Sequence, residues 1–505
     1  MNNATHGETK MFEKITPEAA GISSANVERF VRKLNQRSLA IHSLLMMKGD
    51  KLFAEYYWAP FHKDRTHRCY SQTKSYTAVA IGLLEEEGKL CLDDPISKYF
   101  PEKIHGELEP HLGEQTIRQM LTMTTVGECA KWFDTDYLDR TELYFNYNRN
   151  KPLRKAGTIW EYDSAGSQVM ANLVDKLAGM PLFDYLNEKI FKHLGTFKTA
   201  YMLKTRNGDS WGDSAMVCTP RDTVSFARFV LNYGRWHGKR LMNENYLRLA
   251  TSAAVDNTEF GCPVWMNGYG YQIWHTEMDG FAFYGMGSQY CICIPSLDLI
   301  CAINADTQGY DQANDVILGY FFDLIAECMQ KNRLPENPTA YRSLCEATSN
   351  LKLLAITGAP DSPYRKVLSG KKYLCSENPM GWKSFSLEFS EDGSFGTLYY
   401  ENEQGSKELP FGINKNEFGL FPELGYSDMN GGVRTTNGFR YRCATSAAWR
   451  EEQKLVIKLQ IIDKYFGNGI ISIAFRDNEA TVFMKKVAED FLQKYEGIAF
   501  ARLAD

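Results

Sequence analysis

The sequence predicts a mixed α/β domain followed by a separate all-β domain, and three observations carry that prediction. Short apolar runs near the start and again near residue 300 read as strands, a helix-rich stretch lies between them, and alternating strands dominate after residue 338. Strands early and late with helices between imply an antiparallel sheet that joins distant parts of the chain and is flanked by helices.

The elements follow in order. Ser43 to Met47 and Leu52 to Tyr57 flank Lys48-Gly49-Asp50-Lys51, the pattern of a β-hairpin. Ser71 to Glu87 is apolar all round, through Val79, Ala80, Ile81, Leu83 and Leu84, and stops at Gly88. A buried central helix is expected there. Shorter helical signals run over 94–99, 116–123, 166–177 and 220–232. A second hairpin pairs Gln289 to Ile294 with Leu299 to Asn304 across Pro295-Ser296, and Phe321 to Cys328 reads as a helix closing the sheet. Leu334-Pro335-Glu336-Asn337-Pro338 cannot continue a helix, so residues 1–334 are taken as one domain, 335–338 as a linker and 339–505 as the second. Within the second, runs at 384–389, 395–400, 409–413, 439–442, 455–462, 470–475 and 480–484 alternate between Gly, Asn and Asp turns. That spacing fits a small antiparallel barrel or sandwich.

Composition narrows the partners. With 57 Lys and Arg against 62 Asp and Glu the net charge is −5, so no basic excess exists to neutralise nucleic acid. The N-terminus is polar, and no run reaches the roughly 20 apolar residues of a membrane span. A soluble, cytoplasmic chain without a membrane partner is expected. The twelve cysteines are scattered without a CxxC pair, which argues against both a disulfide framework and a zinc site. Cys291 and Cys293 alternate in an apolar run and are expected to pack on one face of a strand. The nine histidines show no ligand spacing and are assigned surface or packing roles, so neither metal nor organic cofactor is implied.

HExxH, GxxxxGK and GxSxG are absent, as is a GxGxxG after a strand, which removes metalloprotease, P-loop and α/β-hydrolase readings. Ser-x-x-Lys occurs three times, at Ser71/Lys74, Ser349/Lys352 and Ser369/Lys372. Only Ser71 opens a long buried helix, where its N–H joins the helix N-terminal dipole and Lys74 lies one turn on along the same face. A serine so placed serves as nucleophile and oxyanion-hole member once a neighbour takes its proton. A lysine, which ordinarily titrates at about 10.4, does that only when neutral. On spacing alone the simpler reading is a serine helix cap followed by a solvated lysine.

The longer context changes that reading. Cys69-Tyr70-Ser71-Gln72-Thr73-Lys74-Ser75-Tyr76, followed by Ile81-Gly82-Leu83-Leu84-Glu85-Glu86-Glu87-Gly88-Lys89-Leu90-Cys91-Leu92-Asp93-Asp94-Pro95, resembles the nucleophile helix of the serine β-lactamase-related family, which includes class C β-lactamases, DD-peptidases and related esterases. Thr116 to Thr125 resembles the next family segment, with Met123-Thr124-Thr125 where His-Thr-Ser is usual, and the resemblance spans roughly residues 15 to 330. It implies a large helical subdomain against the sheet, and Ser71 and Lys74 as catalytic residues.

Tyr162-Asp163-Ser164 fits the family's Tyr-x-Asn or Tyr-x-Ser motif. Tyr162 is thereby implied as the catalytic tyrosine and Ser164 as a residue that orients the site or binds substrate. A phenol beside an ammonium can share a proton with it, which suits transfer from nucleophile to leaving group. The third motif, Lys-Thr-Gly or His-x-Gly, should fall at Tyr284-Gly285-Met286-Gly287-Ser288-Gln289, with Met286 in place of the cation. Gly285 and Gly287 permit close substrate approach, and a backbone N–H of Ser288 or Gln289 is expected to complete the oxyanion hole. Aromatic clusters at Trp132, Phe133, Tyr137, Tyr144, Phe145 and Tyr147, and at Phe260, Trp265, Tyr269 and Tyr271, suit either a pocket roof or ordinary packing. The second domain resembles lipocalin-like barrels appended to some relatives. Together these imply a metal-independent serine hydrolase acting on a small ester, amide, β-lactam or peptide through an acyl-enzyme on Ser71. The alternative is a non-catalytic binding protein that keeps the penicillin-binding fold.

Overall fold

The computed structural model describes residues 12–37, 39–127, 129, 138–147, 152–259, 263–433, 439–488 and 496–504. The chain forms two compact units, one of residues 1–307, 312–352 and 429–431, the other of residues 308–311, 353–428 and 432–505.

In the first unit, helix α1 (Ser24–Gln36) is capped by Ser23, whose hydroxyl accepts from Asn26 N at 3.2 Å, and it buries Val27, Phe30, Val31 and Leu34 at helical spacing. Strands β1 (Ile41–Lys48) and β2 (Lys51–Tyr57) form the expected hairpin, turning at Gly49 in a left-handed conformation. Helices α2 (Thr73–Glu86), α3 (Ser164–Ala178) and α4 (Pro220–Leu231) follow. Strands β3 (Trp274–Thr276), β4 (Gly280–Gly285), β5 (Gln289–Ile294) and β6 (Leu299–Ala305) complete the sheet, and α5 (Ala313–Phe321) packs behind it. The strand order is β2-β1-β6-β5-β4-β3, antiparallel throughout, with the two residues Glu13–Lys14 adding a parallel pairing outside β2.

Both faces of this sheet are covered, and the alternation of side chains shows how. Leu45 and Met47 of β1 enter one core with Val79, Ile81 and Leu84 of α2, while Leu44 and Met46 enter another with Phe30 of α1 and Phe321 of α5. Cys291 and Cys293 of β5 face the first core, fully buried as free thiols, and Ile292 and Ile294 face the second. A strand buried on both faces reads as an unbroken apolar run, as Leu44 to Met47 of β1 do.

The expected linker at 335–338 opens a helix instead. Asn337 caps and Pro338 begins α6 (Pro338–Thr348), because proline's fixed φ suits the first helical position. Leu344 of α6 lies in the same core as α1, so the division between units falls at 352/353, later than the expected 334.

The second unit contains a closed nine-stranded barrel. Its strands are β7 (Lys372–Cys375), β8 (Ser384–Phe389), β9 (Phe395–Asn402), β10 (Gly405–Ile413), then β11 (Glu417–Leu420) outside the closure, β12 (Arg442–Glu451), β13 (Lys454–Ile462), β14 (Phe466–Arg476), β15 (Glu479–Ala488) and β16 (Gly497–Leu503). The order β10-β9-β8-β7-β16-β15-β14-β13-β12 is closed by a parallel pairing of Gly412 and Ile413 with Ser446 and Ala447. Alternate residues such as Leu455, Ile457, Leu459 and Ile461 are buried, as in a barrel filled by its own side chains.

A buried histidine pair lies at the root of the turn that carries Ser71. His67 donates from Nδ1 to the Arg68 carbonyl at 2.9 Å, which leaves Nε2 to accept from His42 Nδ1 at 2.8 Å. Burial, the largest cause, holds His42 well below the ordinary histidine range and His67 down to about 3. The unfolded chain therefore binds protons below about pH 6.5 that the native state refuses, so stability present at neutral pH is lost as pH falls toward 3. The slope should approach roughly 1.4 kcal/mol per pH unit for each ring. Urea midpoints at pH 7 and pH 5 should separate markedly in the wild type and much less in His42→Gln/His67→Gln. Equal separation in both would contradict this account.

Candidate active site

Tyr70, Ser71 and Gln72 form a single tight turn that runs directly into α2. Tyr70 sits at φ +48°, a left-handed conformation costly for a bulky residue, so the turn is held by its surroundings. Thr73 supplies part of that hold: its hydroxyl donates to the Tyr70 carbonyl at 2.6 Å and accepts from Met216 N at 3.0 Å. Ser75 donates to the Gln272 carbonyl at 2.8 Å. From the sheet side, β4 ends on Gly285, and a Cβ there would lie 2.2 Å from the Cys69 carbonyl and 3.1 Å from the backbone nitrogens of Ser71 and Gln72. Only glycine lets the strand approach the turn so closely.

Ser71 remains partly exposed, while Lys74 is 1% exposed. The Lys74 Nζ donates to Ser71 Oγ at 3.1 Å and to the Asp213 carbonyl at 2.7 Å, and it lies 3.9 Å from the Asp213 carboxylate. It also stands 5.0 Å from the centre of the Tyr162 ring. Tyr162 is stacked on Trp274, ring centres 6.0 Å apart, and is partly exposed. The structure thus brings Ser71, Lys74 and Tyr162 together around one ammonium group.

Tyr162 is placed by the residues on either side of it. Asp163 caps α3, accepting from Gly166 N at 2.9 Å through one oxygen and from the Thr125 hydroxyl at 2.8 Å through the other. Glu161 N donates to the Met123 carbonyl at 3.0 Å, and the Glu161 carboxylate accepts from Arg154 at 2.6 Å. Met123-Thr124-Thr125 therefore acts as the clamp that fixes the tyrosine loop. Ser164 is the first residue of α3, partly exposed, two positions from Tyr162.

The third segment runs on from the end of β4. Met286 follows the end of β4 and is 44% exposed. The buried Ser288 hydroxyl shares a hydrogen bond with Thr307 at 2.7 Å and donates to Asn314 Oδ1 at 3.1 Å. Gln289 Nε2 donates to the carbonyls of Met286, Gly287 and Ala305 at 3.1, 3.2 and 2.5 Å. Both side chains thus shape the turn around Gly287, and the strand residue against the Tyr70–Gln72 turn is Gly285. Sequence reading also missed Asp213, Thr125 and Asp163, of which Asp163 alone carried a local signal, as an Asp before a helix.

Of the aromatic clusters, Trp132, Phe133, Tyr137 and Phe260 lie outside the described residues. Tyr144, Phe145, Tyr269 and Tyr271 are buried, Trp265 stacks on Phe322, and Tyr147 is 39% exposed. Ser369 accepts from Phe389 N beside the barrel strands and Ser349 ends α6, so neither shares the Ser71 surroundings. Among the described residues no group of His, Cys, Asp and Glu is placed to hold a metal, and no helix is long and apolar enough to cross a membrane.

Comparison with known proteins gives the family of this chain. The 6-aminohexanoate-dimer hydrolase of Paenarthrobacter ureafaciens is 23% identical over 225 residues, 41% of this chain and 55% of that protein. Penicillin-binding protein 4* of Bacillus subtilis is 26% identical over 149 residues, 28% of this chain and 31% of that protein. The chain thus spans about half the length of the first and a third of the second. A solved Bacillus anthracis structure, provisionally named a 6-aminohexanoate-dimer hydrolase, shares the fold at 16% identity and TM-score 0.50, covering 63% of this chain and 86% of that one. The family model for beta-lactamase matches residues 27–318, more than half of the 505 residues. The chain belongs to the beta-lactamase family.

Proposed function

We propose that the protein is a serine hydrolase that cleaves small esters or amides through an acyl-enzyme on Ser71. The observation that carries this reading is the 3.1 Å contact from the buried Lys74 Nζ to Ser71 Oγ, with Tyr162 beside the same ammonium. Ser71 attacks the carbonyl carbon while its proton passes to the Lys74/Tyr162 pair in its form one proton short, a neutral amine beside the phenol or an ammonium beside a phenolate, and the fully protonated pair then gives that proton to the departing alcohol or amine. The Ser71 N–H and the backbone beyond Gly285 receive the developing oxyanion. Water then attacks the ester on Ser71 and releases the acid.

Met286 bears on the choice among substrates. The charge-assisted hydrogen bond that a cation would make to a β-lactam carboxylate is worth about 1.5–3 kcal/mol, or roughly ten- to a hundredfold in rate. Short-chain esters and small amides are therefore favoured over penicillins and cephalosporins. Steady-state hydrolysis of a p-nitrophenyl ester, a small amide and a cephalosporin should rank the ester first in kcat/KM, with Met286→Lys raising β-lactam acylation before ester hydrolysis. A cephalosporin value equal to or above that of the best ester would refute the ranking.

A further inference from the structure

Asp213 enters the site from an irregular stretch between α3 and α4, with no motif to announce it. Its side chain is 2% exposed, its Oδ2 lies 3.9 Å from Lys74 Nζ, and its own carbonyl accepts from that nitrogen at 2.7 Å. The other carboxylate oxygen, Oδ1, is buried without a hydrogen-bond partner. Among the described residues, Lys74 is the cation within ion-pair distance of this carboxylate. A buried carboxylate with one unsatisfied oxygen is expensive, and a structural role alone would be met more cheaply by an apolar side chain. The backbone carbonyl would hold Lys74 whatever residue stood there, so the carboxylate itself needs an explanation.

We infer that Asp213 is the positioning residue for Lys74, holding its Nζ against Ser71 and supplying the counter-charge to the ammonium that forms when the neutral amine takes the Ser71 proton and is lost when it returns it. The inference rests on the reading of Ser71 as nucleophile. Lys74 Nζ is held between two anchors on Asp213 and donates onward to Ser71 Oγ, so its position is set from behind. The titratable groups set around Lys74 are Asp213 and Tyr162, with Tyr284 beyond Tyr162.

The test uses Asp213→Asn, which keeps the size and the backbone carbonyl but removes the charge, and Asp213→Ala as a second variant. Each is compared with the wild type in ester kcat, KM, the pH profile of kcat/KM and the rate of Ser71 labelling by a fluorophosphonate. In both variants kcat and labelling should fall about ten- to a hundredfold with KM nearly unchanged. The acid limb of the profile should move to lower pH, because removing a carboxylate from beside an ammonium favours the neutral form. Wild-type kinetics with an unmoved profile, or failure of both variants to fold, would overturn the positioning role. Absence of labelling at Ser71 in the wild type would instead overturn the proposed function itself.

Discussion

Ser71→Ala should lose nearly all ester and amide hydrolysis, by about a thousandfold or more, while folding as the wild type does. Removal of a serine nucleophile from a comparable catalytic unit costs up to about a millionfold, and what remains comes from binding and oxyanion donors. Stability should hardly change, because Ser71 is partly exposed and its hydroxyl accepts a hydrogen bond from Lys74, which keeps the Asp213 carbonyl as a partner. Ser349→Ala and Ser369→Ala serve as controls and should keep full activity. Turnover of Ser71→Ala at the wild-type rate, with circular dichroism unchanged, would leave a binding protein as the better description.

The second large effect concerns the proton. Lys74→Ala and Tyr162→Phe should each lower kcat by about a hundred- to ten-thousandfold, the range of a positioned acid or base. The double variant should be little worse than the more damaged single one, because Tyr162 lies beside the Lys74 Nζ and both act on one proton. Stopped-flow ester hydrolysis across the four proteins measures the coupling. Losses that multiply in the double variant would show two independent contributions.

How much of this was legible in the sequence depended on how local the signal is. The helix after Ser71 announces itself because it is buried on every side, and both hairpins appear because apolar runs flank a turn. Strand β16 escapes the same reading for a physical reason: Ile498 and Phe500 point outward, 48% and 63% exposed, whereas the buried positions are Ala499 and Ala501. Its alternation is inverted in size, so hydrophobicity alone does not mark it as a strand. The linker reading failed at Pro338 because proline ends one helix and begins another with the same fixed φ.

In the site, Ser71, Lys74 and Tyr162 were reachable because two of them share one helical turn and the third lies in a recognisable segment. Asp213 was not, since its meeting with Lys74 spans 139 residues and is made only by folding. That Gly285 is the glycine against the Tyr70–Gln72 turn is set by strand register and is not written in the motif. Met123-Thr124-Thr125 differs from the usual His-Thr-Ser and holds the tyrosine loop through the Met123 carbonyl and the Thr125 hydroxyl.

The central claim is that Ser71 is a nucleophile activated by Lys74 and Tyr162, and one measurement reaches it directly. The full chain is treated with a fluorophosphonate, its intact mass is measured, and the modified peptide is sequenced by tandem mass spectrometry. The account predicts a single adduct on Ser71, formed quickly in the wild type, slowly in Lys74→Ala and not at all in Ser71→Ala. An unmodified wild-type protein, or an adduct on any other serine, would contradict it.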